Sequence, residues 1–321
     1  MTGALDPTTV ERFARDLDAL VPAGVPFGVA VSGGADSLAL LLMSHAVAPD
    51  RVRAATVDHG LRPESSAEAA FVASVCADRD IPHATLTIDW AEGPPTANIE
   101  ALARDARYER FGRWAAQHHL GYLATGHHAD DQAETMLMRL ARGAGLSGLA
   151  GIRREIVQRD LTIVRPLLRW TRDELRSVVA AAGLDPAEDP HNDDPTFDRA
   201  RLRTALRAAG FHDASSYAAS AVYLQEAEEA LGWMLFDLWD RVAVERNGTF
   251  RLDLDGIPSE LRRRLLRTAI HLSGDRLPRG PELRRAVERV EDLGKTSLGA
   301  TLIERDGTLW TVRPAPPRRT G

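Results

Sequence analysis

The sequence predicts an α/β protein in which a parallel β-sheet, covered by helices on both faces, precedes a smaller α+β domain. Three observations carry that reading. Over residues 27–210, short apolar runs alternate with longer segments of helical period, the pattern of successive βαβ units. Beyond Asp213 the alternation stops and a long helix, a strand, two helices and a hairpin follow. The chain has 321 residues, 44% of them apolar, enough for two cores without disulfide or zinc staples.

The first β-prone run, residues 27–31, ends at Ser32-Gly-Gly, and residues 38–46 then follow helical periodicity. Residues 51–57, 84–88, 121–125 and 162–165 read as further strands, and residues 66–79, 99–118 and 130–142 as the helices between them. Thr171, with Glu174 three positions later, is a capping-box signature that opens another helix. Short apolar strands fit a sheet buried on both faces, a Rossmann-like arrangement. Ligands of such sheets bind beyond the carboxyl ends of the strands, so the residues after each strand matter most. In the second part, a helix over 214–245 has Leu224, Leu231, Met234, Leu235, Leu238 and Trp239 as its apolar positions. A strand (249–254), helices over 260–272 and 281–293, and a hairpin over 301–312 with Asp306-Gly307 at its turn complete it. The expected division is one domain over 1–210 and another over 211–321.

The 40 basic and 46 acidic residues leave a formal charge of −6, spread unevenly. Residues 1–138 carry 10 Arg against 19 acids, residues 139–210 carry 13 against 10, and the remainder balances. That argues against indiscriminate nucleic-acid binding while leaving room for a local basic stripe. Lys295 is the single lysine, so any cation in an N-terminal site must be arginine, a metal or part of a substrate. One cysteine, Cys76, excludes an internal disulfide and a Cys-rich metal cluster. With neither a signal-peptide core nor an apolar span of about 20 residues, a cytoplasmic location is expected.

The strongest local signal is Ser32-Gly33-Gly34-Ala35-Asp36-Ser37, between a buried strand and a helix. Glycines let the backbone approach an anion closely, and the amides of the loop and helix start present positive partial charge to it. Asp36 beside a phosphate makes sense with Mg²⁺ between them. A Walker A loop is excluded because no lysine precedes position 295. Gly143-Ala-Gly-Leu-Ser-Gly148 has dinucleotide-motif spacing but follows a helix, and nucleophile-elbow spacing is absent around Ser32 and Ser37.

The hexapeptide resembles the pyrophosphate-binding signature of the PP-loop ATP pyrophosphatases. Further segments narrow the likeness: Val57-Asp-His-Gly-Leu-Arg62, Ala103-Arg-Asp-Ala-Arg-Tyr108, and Thr125-Gly-His-His-Ala-Asp-Asp-Gln-Ala-Glu-Thr135 running on to Arg139 and Arg142. Arg165-Pro-Leu-Leu168, Asn192-Asp-Asp194 and Arg199-Ala-Arg-Leu-Arg203 complete the series. Across residues 25–210 these segments together resemble the tRNA(Ile)-lysidine synthase family. The resemblance implies a PP-loop ATPase fold for the first domain and a tRNA-binding accessory domain for the second, in a short form without the last accessory domain of longer members. It also implies the reaction. ATP adenylates C2 of the wobble cytidine in a CAU anticodon, and the ε-amine of L-lysine displaces AMP.

Carried over residue by residue, the resemblance assigns Ser32, Gly33, Gly34, Ala35, Asp36 and Ser37 to the pyrophosphate of ATP, with Asp36 holding Mg²⁺. Val57 and His59 are placed to contact adenine and ribose, chiefly through the main chain. Asp131 and Glu134 share one helical face, and paired carboxylates in a lysine-free site suit a cation, in this family the substrate ammonium. The same two residues would also serve as the N-cap and N3 of a capping box, and both roles can coexist. Because anions raise an ammonium's pKa, the pair binds the amine better than it activates it. Arg107 and Arg142, with Arg104 and Arg139 on the same helices, either neutralise charge on the transferring adenylate or form surface ion pairs. His127 and His128 suit hydrogen-bonding roles. Arg199 and Arg203 match the family pattern for gripping tRNA phosphates or the adenylated intermediate, whereas Ala200 stands where the family has Asn. Arg263 and Arg285, in the Arg-rich helices of the second domain, are read as tRNA contacts rather than a merely solvated face. Family members suggest a homodimer. A tRNA thiolase would need more than one cysteine. An NAD-synthetase-like ligase and a non-catalytic nucleotide-binding module remain the alternatives.

Overall fold

In the computed structural model, the structure describes residues 5–61, 64–90, 93, 95, 97–187, 198–211 and 213–315. Contacts divide the chain into two compact units, one of residues 1–141 with 150–222, the other of residues 142–149 with 223–321.

The first unit opens with α1 (Pro7–Asp18), a helix the strand-by-strand reading did not predict. Asp6 accepts the Thr9 amide as N-cap and Pro7 takes the first helical position. Phe13 and Leu17, one turn apart, are fully buried. Then come β1 (Phe27–Ala30), α2 (Ala35–Val47), β2 (Val52–Asp58), α3 (Ser65–Ala77), β3 (His83–Thr87), α4 (Ile99–Gln117), β4 (Tyr122–Ala124) and α5 (Ala129–Ala141). After the short α6 (Leu146–Leu149), assigned to the other unit, follow β5 (Glu155–Gln158), β6 (Leu161–Val164), α7 (Arg172–Ala181) and α8 (Asp198–Ala209).

The sheet order is β3-β2-β1-β4-β6-β5. Five strands are parallel as expected; the sixth, β5, runs antiparallel beside β6 at one edge. Its hairpin turns on Arg159 and Asp160, both at positive φ (53° and 62°). That geometry normally announces itself through Asn-Gly, which explains why the strand was not legible.

Two apolar layers sandwich the sheet. One gathers α1, α2, α3 and α7 on one face, with Leu38, Leu40, Leu41 and Met43 buried on nearly every side of α2. The other packs Tyr108, Phe111 and Trp114 of α4 against Ala55, Leu123 and Ile163. Gly28 makes the second layer possible, because a Cβ there would lie 2.7 Å from the Trp114 ring. The capping box is present as read: Thr171 accepts the Glu174 amide and Glu174 accepts the Thr171 amide at 2.7 Å. α1 fastens to this turn. Arg12 lies 4.0 Å over the Trp170 ring and pairs with Glu174, while Trp170 donates to Asp16 at 2.9 Å.

α9 (Ala214–Val242) runs from the first unit into the second. The second unit continues with β7 (Ala243–Arg246), β8 (Thr249–Asp253), α10 (Ser259–Leu272), α11 (Gly280–Leu293), β9 (Lys295–Leu298), β10 (Thr301–Asp306) and β11 (Leu309–Pro314). The strands form an antiparallel sheet in the order β7-β8-β11-β10-β9, with Trp310, Ile303 and Val312 packed against Leu265, Leu266 and Val290 of the helices. The 301–312 hairpin forms, its turn one residue later than read: Asp306 pairs with Leu309, and Gly307 (φ 59°) takes the first loop position. β7 and β9 are additions to the reading.

No helix among the described residues is long and apolar enough to cross a membrane. In the first unit β1 and β4 are sheet neighbours distant in sequence, and the connections leaving them diverge. They therefore open a crevice beyond their carboxyl ends.

Candidate active site

Both arms of the crevice are built from turns that leave these central strands. After β1 the backbone bends at Gly33 (φ 91°), and Gly34 is the N-cap of α2 with no side chain bonding the helix's first amides. Those amides and the helix dipole suit an anion. Ser37 braces the loop from within: its hydroxyl accepts the Ser32 amide at 3.0 Å and donates to the Gly34 carbonyl at 2.9 Å, with the Ser32 hydroxyl 3.1 Å away. After β4 the chain passes Gly126 so close to α2 that a Cβ there would stand 3.2 Å from the Asp36 carbonyl and the Ser37 nitrogen.

The second arm begins with His127 and His128. His128 is 1% exposed and meets three carboxylates. Its Nε2 lies 3.3 Å from Asp36 Oδ2 and 3.7 Å from Asp131 Oδ2, and its Nδ1 lies 3.4 Å from Asp130 Oδ2. Burial alone would lower the imidazole's pKa; bonds to Asp130 and Asp36, with the Asp131 charge, outweigh it and raise the value to about 10. Burial would conversely raise Asp130, which the His128 ring and the Arg172 amide bring down to about 2. Two of the three acids have a second anchor. Asp131 accepts the His128 main-chain N–H at 3.1 Å, and Asp130 accepts the Arg172 N–H at 2.9 Å. Asp131 is thus at N3 of α5, after His128, rather than the N-cap that the capping-box reading made it.

Asp36 differs. Its Oδ1 is buried without a hydrogen-bond partner, an orphaned acceptor that fits a hard cation sharing phosphate oxygens. Among the described residues no group of three or more His, Cys, Asp or Glu is placed to hold a metal ion. Burial opposes the charge of Asp36, but His128 and the cations of Arg172 and Arg176 hold its pKa below the usual value.

Glu134, one turn along α5, is 3% exposed, and Arg203 Nε of α8 lies 3.0 Å from its Oε1. Burial raises its pKa, Arg203 opposes, and the Asp131 charge adds to the rise. The 199–203 segment is helical. Arg199 and Arg203 therefore share a face, with both cations felt by Glu134, while Arg201 turns to Asp198. Ala200, where the family has Asn, is buried on this helix.

A cationic region adjoins the acids in the same unit. Arg165 at the end of β6 is 4% exposed, donates to the Arg153 carbonyl at 2.7 Å and leaves its Nε without a partner. Arg104 lies 5.0 Å over the Tyr108 ring, and exposed Arg107 has its pKa lowered by crowding protein atoms and by Arg104. Burial, reinforced by Arg165 and Arg104 against the opposing Asp131, lowers the His127 pKa to about 4, so this imidazole is uncharged. Its Nδ1 is 3.0 Å from the Thr125 hydroxyl. Arg165, Arg172 and Arg176 went unassigned in the sequence reading. Arg165 carried a signal as the first residue of Arg165-Pro-Leu-Leu168, and Arg172 as the neighbour of Thr171 at a readable helix start.

Val57 and His59 end β2, the strand beside β1. The Val57 side chain packs into the α4 layer, and the His59 carbonyl accepts the Trp90 indole N–H at 2.8 Å. Asp58 closes that turn by accepting from Ser65 and Ser66. Arg142, Arg263 and Arg285 belong to the second unit. Arg142 is exposed just past α5, Arg263 pairs with Glu260, and exposed Arg285 donates to the Pro281 carbonyl at 3.3 Å. Arg62 and the stretch from Asn192 to Asp194 lie outside the described residues.

A family model described as a PP-loop domain matches residues 9–209. A tRNA(Ile)-lysidine synthase from Novosphingobium aromaticivorans is 42% identical over 313 residues, covering 96% of this chain and 94% of the relative. The chain belongs to the tRNA(Ile)-lysidine synthase family. Synthases of the same name from Zymomonas mobilis (40% identical, 93% of this chain and 91% of the relative) and Methylobacterium nodulans (36%, the full length of both) extend the likeness end to end. Among solved structures, a U34-tRNA thiolase from Methanococcus maripaludis with its 4Fe–4S cluster matches with a TM-score of 0.55 at 15% identity, covering 68% of this chain and 79% of that one. At that identity the match shows that this synthase-family chain shares the thiolase's fold, and nothing of its chemistry.

Proposed function

We propose that this chain uses ATP to adenylate the C2 oxygen of the wobble cytidine in a tRNA(Ile) with a CAU anticodon, and couples L-lysine there to form lysidine. Residues 1–210 are the catalytic domain in this reading, residues 211–321 bind tRNA, and the enzyme works in the cytoplasm. One observation supports it above the rest: a loop fit for a phosphate chain and an acidic face fit for an ammonium meet at a single residue, His128, within 3.3 Å of Asp36 and 3.7 Å of Asp131.

The cytidine oxygen attacks the α-phosphorus and pyrophosphate leaves. The bound lysine ammonium first gives up one proton to solvent; the free amine then attacks C2, AMP leaves, and a second proton passes from that nitrogen to solvent. Ser32, Gly33, Gly34, Ala35 and Ser37 hold the leaving pyrophosphate on amides that need no reorganisation. Asp36 offers Oδ1 to Mg²⁺, which supplies charge neutralisation along the phosphates. Val57 and His59 border the nucleoside, and Arg107, backed by Arg104 and Arg165, faces the charge that builds on the adenylate, with Arg142 assigned to the same task. His127, uncharged, adds a hydrogen bond. Asp131 and Glu134 receive the lysine ammonium, Arg203 keeps Glu134 compensated until lysine arrives, and Arg199 grips the tRNA or its adenylated intermediate. Arg263 and Arg285 contact tRNA phosphates from the second unit.

Incorporation of radiolabelled lysine into a CAU-anticodon transcript tests the reading. AMP and pyrophosphate should form only when lysine and the tRNA are both present, and Asp36→Ala should abolish turnover. Amide formation from deamido-NAD and ammonia, without lysine transfer, would replace it with the NAD-synthetase alternative.

A further inference from the structure

We infer that His128 is a positioning residue for the divalent cation of the nucleotide, acting through the Nε2 edge of its ring on Asp36, while its Nδ1 edge serves Asp130. This rests on the Mg²⁺–ATP reading above and adds a role for a residue that never touches a substrate.

The two ring edges face different groups: Nε2 lies 3.3 Å from Asp36 Oδ2 and, more distantly, 3.7 Å from Asp131 Oδ2, while Nδ1 accepts the Asp130 main-chain N–H at 3.2 Å and lies 3.4 Å from Asp130 Oδ2. The three carboxylates do not depend on the ring equally. Asp130 also accepts the Arg172 amide and Asp131 the His128 amide, and a substitution of the imidazole leaves both of those main-chain donors in place. Asp36 has no such second anchor among the described residues, since its remaining oxygen, Oδ1, is buried and unpartnered. The ring therefore fixes one carboxylate oxygen and leaves the other as the ligand atom. Mg²⁺ tolerates little departure from its preferred geometry, and removing the group that orients a metal ligand typically costs about 10–100-fold in metal affinity.

Side chains that copy one ring edge separate this role from plain core filling. A Gln amide reaches where Nε2 stands, and an Asn amide where Nδ1 stands. Mn²⁺ uptake by the full chain with a non-cleavable α,β-methylene ATP, followed by electron paramagnetic resonance, reads the metal without turnover. His128→Asn should weaken Mn²⁺ binding about tenfold, with nucleotide affinity in the absence of metal little changed. His128→Gln should keep Mn²⁺ binding within about threefold of the parent. Equal Mn²⁺ affinity in both variants, whether retained or lost, would overturn the assignment. An unmodified protein that took up nucleotide but no Mn²⁺ would remove the metal site and this inference with it. Absence of nucleotide binding altogether would instead strike the proposed function.

Discussion

Glu134 has almost no contact with water, and among the described residues it is ion-paired to Arg203, whose Nε lies 3.0 Å from its Oε1 without a hydrogen bond between them. A charge-assisted bond to an ammonium contributes about 1.5–3 kcal/mol, so Glu134→Gln should raise the KM for lysine roughly 10–100-fold with a smaller change in kcat. An unchanged KM would move the receptor elsewhere. The pH dependence follows from burial, which raises this carboxyl's pKa. As pH falls through that raised value the receptor loses its charge, so KM for lysine should climb at a higher pH than an exposed glutamate would dictate. The climb should vanish in the Gln variant. Asp36, Asp131 and Glu134 were legible because loop context and helical spacing are written along the chain. Arg165 was marked only through the Arg165-Pro-Leu-Leu168 segment: its burial and its bond to the Arg153 carbonyl are not written along the chain.

Trp114 on α4 reaches the sheet through the space that Gly28 leaves on β1. Gly28→Ala should therefore destabilise the first unit by about 1–3 kcal/mol, as overpacking of a closed core does, measurable by chemical denaturation. A neutral result would mean that the indole has room to tilt. Elements marked by apolar runs between turn residues, such as α2 and β2, were legible to within a few residues. Those missed share a physical cause. β5 turns on an Arg-Asp pair in left-handed geometry, and β7 and β9 are short strands that complete a sheet only after distant partners are in place. α8 sets Arg199 and Arg203 one helical turn apart and pairs Arg203 with Glu134 of α5, a contact that sequence order does not display.

At the scale of the whole chain, charge is uneven along the first unit and near balance in the second. Much of the arginine in the second unit is committed: Arg262 to Glu291, Arg263 to Glu260, Arg264 to Glu228 and Glu260. Of the two arginines proposed as tRNA contacts there, Arg285 faces solvent and donates, among the described residues, to the Pro281 main-chain carbonyl, and it should matter more than Arg263. Arg285→Ala should weaken tRNA binding for every sequence alike and reduce the slope of log affinity against log salt by about one. An unchanged slope would take α11 off the RNA. Composition foretold the imbalance of charge but not which cations are already spoken for, since ion pairs such as Arg264–Glu228 join residues far apart in sequence.

At Gly126 the turn from β4 crosses the first peptide units of α2 so closely that a Cβ there would stand 3.2 Å from backbone atoms, tighter than ordinary contact. If one reactant rides on each side of that crossing, the gauge between donor and acceptor is set by the thickness of two backbones pressed together, a dimension no side-chain rotation can alter. Wear elsewhere in the cleft can then retune which molecules are held, while the span their reacting atoms must bridge stays constant.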